Sequence, residues 1–309
     1  MMQPAVTESA KEIPGNRNSA KCFEMSALVA GSIGVWWQPI ASTLRLALGS
    51  DAHTHILLII PLSVALIYIQ RREVLCLPSS NRWVGWVVLS AALLLRACTA
   101  VIVNFGAADV ILSFSVFGLV LWWIGSVILC FGLETFRSLL FPLCFLFLVV
   151  PVPNGIVNWM TQTLQYQSAL GATLLFRIAQ VPVTRDGLIL SIPGLDLEVA
   201  PECSSIRSSI MLIVITLVLA HLFLRSRWRK MVLLAASLPL AVAKNALRIF
   251  TIGQLGTRVD PAYLNGRLHH HGGIVFLAVA VMMVIVLLWV LRQGELRNSY
   301  LVRSRGLVS

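Results

Sequence analysis

The sequence predicts an all-α polytopic membrane protein: about eight transmembrane helices with a small outer-face insertion that holds a β-hairpin. Three observations predict it. Of 309 residues, 58% are hydrophobic and only 12% are charged, whereas soluble domains carry about 25% charged residues. The apolar residues gather into runs near the length of ~20 residues that crosses the hydrocarbon of a bilayer. Lys and Arg concentrate in the short loops between those runs, as cytoplasmic loops do. A net charge of +11 distributed in this way points to a lipid bilayer as partner and away from nucleic acid.

The runs fall at roughly 26–48, 52–70, 83–103, 110–133, 138–152, 206–224, 231–252 and 273–291. The first follows a polar, mixed-charge stretch with no small-residue cleavage site after it, so it reads as a span and not as a signal peptide. The fourth and the last contain no charge. The fifth is short, carries Pro142 and ends at Pro151 and Pro153, which predicts a kinked, tilted or partly spanning segment. Trp36, Trp37, Trp83, Trp86 and Trp289 stand near run ends and are expected as interfacial anchors. The six cysteines (22, 76, 98, 130, 144 and 203) form no CxxC pair. Most behave as small hydrophobes in apolar runs.

Eight spans make the loops alternate. One side receives the N-terminal tail with Lys11, Arg17 and Lys21, then "QRREV", "ETFRS", "RSRWRK" and the tail with Arg292, Arg297, Arg303 and Arg305. This side is much the richer in Lys and Arg and is expected to be cytoplasmic, with both termini inside. The division is therefore 1–25 as N-terminal tail, 26–292 as membrane domain and 293–309 as C-terminal tail. Arg177, Arg185, Arg258 and Arg267 are basic exceptions on the outer side. The largest outer insertion is 153–205. Residues 155–180 mix apolar and polar positions, as an interfacial or partly embedded helix would. "VPVTRDGLILSIPGLDLEVA" adds a DG turn signal and short alternating runs, which predicts a β-hairpin leading the chain to Cys203.

Three polar groups then fall on the outer face: Cys203 at the start of the sixth span, Arg248 near the end of the seventh, and His269, His270 and His271 just before the eighth. Their chemistry is coherent. A thiol loses its proton more easily at a helix N-terminus and beside Arg or protonated His. A histidine can take the thiol proton and return it to a leaving amine. An arginine can hold a carbonyl oxygen as negative charge develops on it. Such a set suits acyl transfer through a thioester. Each residue also has a plainer reading. Cysteine at a helix start packs, and arginine at an interface snorkels. Adjacent histidines can bind a metal or be polar loop residues, with Asp260 the nearest acid in sequence. Arg207, four residues after Cys203, shares its helix face and could tune the thiol or bind a lipid or substrate carboxylate. Arg96, in the third span, should face the bundle as a structural or pathway-lining residue, and Lys244 with Asn245 should hydrogen-bond in the interior.

Taken together, three motifs resemble those of the exosortase/archaeosortase family of membrane transpeptidases. "VAPECSSIRSS" is similar to its Cys-Ser-Gly motif, "NALRIF" to its Asn-x-x-Arg motif and "HHHGGIVF" to its His-x-x-x-Gly motif. Weaker likenesses are "WWQPI" with "DAHTHILLIIPLSVALIYIQRR", "FPLCFLFLVVPVPNG" and "VPVTRDGLILSIPG". Ser205 stands where the family usually has Gly. The resemblance implies Cys203 as nucleophile, Arg248 as oxyanion or substrate clamp and His269 as acid/base, because Gly273 follows His269 at the motif's spacing. Asn245, Arg207 and His270 would support them. It implies exported proteins with C-terminal sorting signals as substrates: a Pro-Glu-Pro-like tripeptide, a membrane helix and a basic end. It also implies an amine-bearing lipid or polysaccharide acceptor, frequent association with exopolysaccharide loci, and no cofactor or metal. The competing readings are a transporter or channel lined by Arg96, Lys244 and the histidines, and a metal-dependent hydrolase using His269, His270 and His271.

Overall fold

The structure, a computed structural model, describes residues 14–74, 81–102, 106–199, 206–258 and 267–305, with side chains for 21–70, 81–102, 106–199, 206–258 and 273–297. The chain divides into two compact units, one of residues 1–46 and 56–152, the other of 47–55 and 153–309.

The first unit holds α1 (Pro14–Val35), most of α2 (Trp37–Gly49), α3 (Ile56–Val74), α4 (Arg82–Ile102) and α5 (Ala108–Phe131). Two short helices follow, α6 (Leu133–Ser138) and α7 (Leu140–Phe145), then a 3-10 turn at Leu146–Val149. Small residues let α4 and α5 approach closely. A Cβ on Gly85 would stand 2.7 Å from the backbone of Leu129, and one on Gly125 would stand 3.1 Å from the Leu89 side chain. Between membrane helices such close backbone contact supplies the packing attraction that a hydrophobic effect cannot. Three indoles lock α1 along α5: Trp122 Nε1 donates to the Leu28 carbonyl (3.0 Å), Trp123 Nε1 to Ser32 Oγ (3.1 Å) and Trp36 Nε1 to the Ser115 carbonyl (2.9 Å).

The second unit holds α8 (Asn154–Ile178), strands β1 (Thr184–Asp186), β2 (Ile189–Ile192) and β3 (Leu195–Glu198), then α9 (Ile206–Phe223), α10 (Arg227–Arg258) and α11 (Arg267–Arg305). It also takes in the 3-10 turn Asp51–His53, which packs against α9. The strands form an antiparallel sheet in the order β1-β2-β3. Asp186 pairs with Ile189 across Gly187, whose φ is 60°. Ile192 pairs with Leu195 across Pro193 and Gly194, whose φ is 83°, the Pro-then-Gly order of a type II turn. The expected single hairpin is thus a three-stranded meander. Its inner residues Leu190 and Ile192 pack with Ala169, Ala172, Phe176, Val199 and Ile249, so the sheet is seated on α8 and α10.

Six helices among the described residues are long and apolar enough to cross a membrane: Asp51–Gln70, Arg82–Ile102, Ala108–Phe131, Ile206–Phe223, Arg227–Arg258 and Gly273–Arg297. Counting Leu140–Val149 with Asn154–Ile178 as one bent span makes up to seven. The expected eight differ in two places. The run 26–48 is two helices meeting at Trp36. Pro39 has no N–H, so the Val35 carbonyl loses its helical donor, and Arg96 Nε donates to it instead at 3.3 Å. Arg96 is therefore structural, as one of its two readings had it. The run 138–152 is broken into pieces too short to cross alone, with Pro142 in the first turn of α7, and reaches span length only with α8. Trp36 is fully buried and not an interfacial anchor, whereas Trp37, Trp83, Trp86 and Trp289 are exposed.

Candidate functional site

Cys203 lies in 200–205, outside the described residues, but both flanks of that segment are held. On one side Gln165, buried on α8, donates from Nε2 to the Val199 carbonyl at 2.9 Å, while the Val199 N–H donates to the Leu188 carbonyl at 3.0 Å. On the other side α9 begins at Ile206. Arg207 Nη1 meets Asp51 Oδ1 at 3.0 Å in an exposed ion pair, and Lys244 Nζ donates to Ser208 Oγ at 2.6 Å.

Lys244 also donates to Asn245 Oδ1 at 2.6 Å. Asn245 is 1% exposed, Arg248 4% and Lys244 5%. Burying a cation in an apolar bundle costs several kcal/mol unless hydrogen bonds offset it, and these two bonds supply the offset for Lys244. The expected interior hydrogen bonding of Lys244 with Asn245 is what the structure has. Lys244 and Arg248 are one turn apart on the same face of α10. The face is set by small residues: a Cβ on Gly171 of α8 would stand 2.8 Å from the Ala246 Cβ, and one on Gly253 would stand 2.8 Å from Phe176 Cζ. Phe176 and Phe250 meet edge to face at 5.0 Å.

The helix directions bring the motif-bearing segments to one end of this unit. The Glu295 carboxylate of α11 accepts from the backbone N–H groups of Arg225 (3.2 Å) and Ser226 (2.6 Å), at the turn from α9 to α10. So α9 and α11 run the same way and α10 runs back between them. The start of α9, the Arg248 part of α10 and the start of α11 therefore share an end. His269, His270 and His271 lie in the first turns of α11, which begins at Arg267 and runs unbroken through Gly272 and Gly273. They are helical and not the loop residues expected before the span. Their side chains lie outside the described residues.

Residues 36–286 match the family of transmembrane exosortases (Exosortase_EpsH). The chain belongs to this family. No curated protein and no solved structure matches it. As an exosortase-family chain it is a multi-pass membrane protein, and the match takes in the helices that carry Arg248 and the histidines as well as the segment with Cys203.

Two features of this exosortase were not singled out in the sequence. Gln165, on a helix read as interfacial, is a buried tether for the strand that leads to Cys203. "DAHTH", quoted above only as the start of a weaker likeness, is a turn whose two histidines are buried: His53 is 2% exposed and His55 is 5%. The available signal was two imidazoles in alternate positions at the edge of a span, where polar residues need a reason to be.

Proposed function

We propose that this exosortase-family protein is a membrane cysteine protease/transpeptidase that cleaves C-terminal sorting signals from exported proteins and transfers the product to an amine-bearing acceptor. Cys203 is the nucleophile, Arg248 the oxyanion or substrate clamp and His269 the acid/base group. Asn245, Arg207 and His270 support them. The Cys203 thiolate attacks the scissile carbonyl, the carbon–nitrogen bond breaks, and the leaving amine takes a proton from His269. The acceptor amine then attacks the thioester, gives up a proton, and releases the sulfur.

One observation carries this reading. The Lys244–Ser208 bond fixes α10 against the start of α9. Ser208 follows Cys203 by five residues in sequence, and the buried Arg248 lies one turn beyond Lys244 on α10. An arginine near a cysteine favours a thiolate and a developing oxyanion.

Cys203→Ala should abolish processing of a reporter carrying a Pro-Glu-Pro-type tail while the variant still inserts in the membrane. Mass spectrometry of wild-type protein quenched during turnover should find a substrate-derived thioester on Cys203. Normal processing by Cys203→Ala would overturn the proposal. The basic ends of the helices are cytoplasmic, and the Cys203 end faces outward. Membrane-impermeant maleimide applied outside cells should label a cysteine placed at Arg258 and spare one placed at Arg229. The reverse pattern would refute this orientation.

A further inference from the structure

At one end of the second unit the charges do not balance. The end of α9, the start of α10 and the later part of α11 meet there. Among the described residues they carry six cations (Arg225, Arg227, Arg229, Lys230, Arg292 and Arg297) and one carboxylate, Glu295. Glu295 accepts from the backbone N–H groups of Arg225 and Ser226. Arg227, Arg229 and Lys230 stand in the first turn of α10, where the helix dipole favours anions, and no acidic residue shares that turn.

An exposed arginine at a membrane end is satisfied by water. Arg229 is different. It is partly buried, and its Nη1 is fully buried with no hydrogen-bond acceptor among the described residues. Its Nη2 lies against α11, where a Cβ on Gly294 would stand 3.6 Å from it, in ordinary contact. A buried charged donor without an acceptor is costly, and the guanidinium fork matches a phosphate with two N–H groups. Arg297, three residues after Gly294, is on the same side of α11.

An apolar groove leads up to this point. Val290, Val286, Met282, Val279 and Val275 precede Gly294 at spacings of three and four. They are exposed and line a groove of about 630 Å³. No charge falls between Val275 and Val290. That stretch is about 22 Å long at ~1.5 Å per residue, and one leaflet of hydrocarbon is about 15 Å deep, so an acyl chain fits along it. Apolar along its length and cationic at one end, the groove complements an anionic amphiphile. The basic end of the proposed sorting signal, laid in the same groove, would meet like charges.

We propose that this is a binding site for an anionic phospholipid, with the phosphate at Arg229 and Arg297 and one acyl chain along α11. Basic pockets between membrane helices take such headgroups. The assignment is independent of the catalytic reading.

The test is lipid retention by full-length protein. Protein in detergent is titrated with dioleoylphosphatidylglycerol, with dioleoylphosphatidylcholine and with inorganic phosphate, and bound molecules are counted by native mass spectrometry. Wild type should prefer phosphatidylglycerol over phosphatidylcholine by about fivefold or more, the scale of one basic residue against an anionic headgroup. Inorganic phosphate should not displace it. Arg229→Gln should remove the preference, and Arg227→Gln, whose side chain is exposed, should keep it. Val286→Trp, filling the groove from an exposed position, should weaken retention of both lipids. Equal retention of the two lipids by wild type would overturn the inference. Equal losses in Arg229→Gln and Arg227→Gln would assign retention to the charge of the whole end and overturn it too. Displacement by inorganic phosphate would make this a site for the free anion, against the lipid assignment. If Arg229→Gln unfolds in detergent, Val286→Trp decides alone, and unchanged retention there overturns the proposal. Reporter processing that falls in Val286→Trp while phosphatidylglycerol retention holds would give the groove to the substrate helix instead.

Discussion

The crossing of α8 and α10 offers a quantitative test of what holds Arg248 in place. A methyl on Gly171 would sit 2.8 Å from the Ala246 Cβ, about 1 Å inside comfortable carbon–carbon contact. Both atoms lie on helix backbones, so neither can rotate away. Gly171→Ala should therefore push α10 from α8. Overpacking of this kind costs about 2 kcal/mol, and the alanine's better helix propensity returns about 1, for a net loss near 1 kcal/mol. Ala246→Gly loses about 1 kcal/mol of propensity and about 0.8 for the buried methyl, together roughly 2. In the double variant the methyl has changed sides, the propensities cancel and the clash is gone, so stability should return to within about 0.5 kcal/mol of wild type. The coupling is then about −3 kcal/mol, well outside the usual additivity error of about 0.5. Function should follow the same pattern. Arg248 lies two residues beyond Ala246, and a shift of about 1 Å can cost about 100-fold in rate. Equilibrium unfolding in mixed micelles and reporter processing measure the two quantities. Additive losses, with the double variant near 3 kcal/mol, would refute the claim that this small-residue contact sets the position of Arg248.

Two further predictions come from single carbonyls. Arg96→Met removes the donor that replaces the missing N–H of Pro39 at the Val35 carbonyl, so it should destabilise the protein by about 1 kcal/mol in detergent unfolding. Pro39→Ala restores a backbone donor and should make Arg96→Met nearly neutral; an unchanged penalty in that background would refute the account. Gln165→Leu leaves the buried Val199 carbonyl without its side-chain donor at a similar cost. It should lower processing by about 10-fold or more per folded molecule, as 1.4 kcal/mol of lost positioning would, because Val199 anchors the segment that leads to Cys203. Processing that falls only in proportion to folded protein would count against this.

The membrane class and the order of the motif-bearing helices were legible because lipid tolerates no other composition over such lengths. Apolar counting failed at 26–48 and 138–152 for one reason. It registers that a residue is apolar, but not that Pro39 deprives a carbonyl of its donor or that Pro142 falls in a short broken stretch. Trp36 has the sequence signature of an interfacial anchor. It is buried because its indole finds the Ser115 carbonyl, a partner 79 positions away that no local pattern reveals. The sheet was half legible: "DG" announced the first turn, while "PG" went unread and with it the third strand. Asn245 and Lys244 were foreseeable as a pair because a lysine in an apolar run needs acceptors. His53 and His55 were not, because an imidazole on a short turn is buried or exposed according to what packs over it. Here that is α9, about 150 residues away in sequence.

The proposed orientation rests on helix pairing and not on the number of spans. An alternation argument reverses its answer whenever a span is gained or lost, and α1 with α2 and the bent pair at α7–α8 each change the count. Antiparallel contacts assign ends directly. In the first unit, Glu24 of α1 meets Arg82 at the start of α4, and Arg82 Nε reaches the Leu129 carbonyl near the end of α5. One end therefore carries Arg82 and, past the end of α5, Arg137, while the start of α5 at the other end carries Asp109. In the second unit, Glu295 ties the end of α9 and the start of α10 to the later part of α11. That end gathers Arg225, Arg227, Arg229, Lys230, Arg292 and Arg297. The opposite end carries the ion pair of Arg207 with Asp51 and the sheet with Arg185 and Asp186. Each unit has a basic end on its own evidence, so the positive-inside rule applies to each without a span count. In the second unit, that rule supports the proposed orientation, in which the start of α9, the helix that follows Cys203 in sequence, points away from the cytoplasm, the side on which the proposed exported substrate would present its tail.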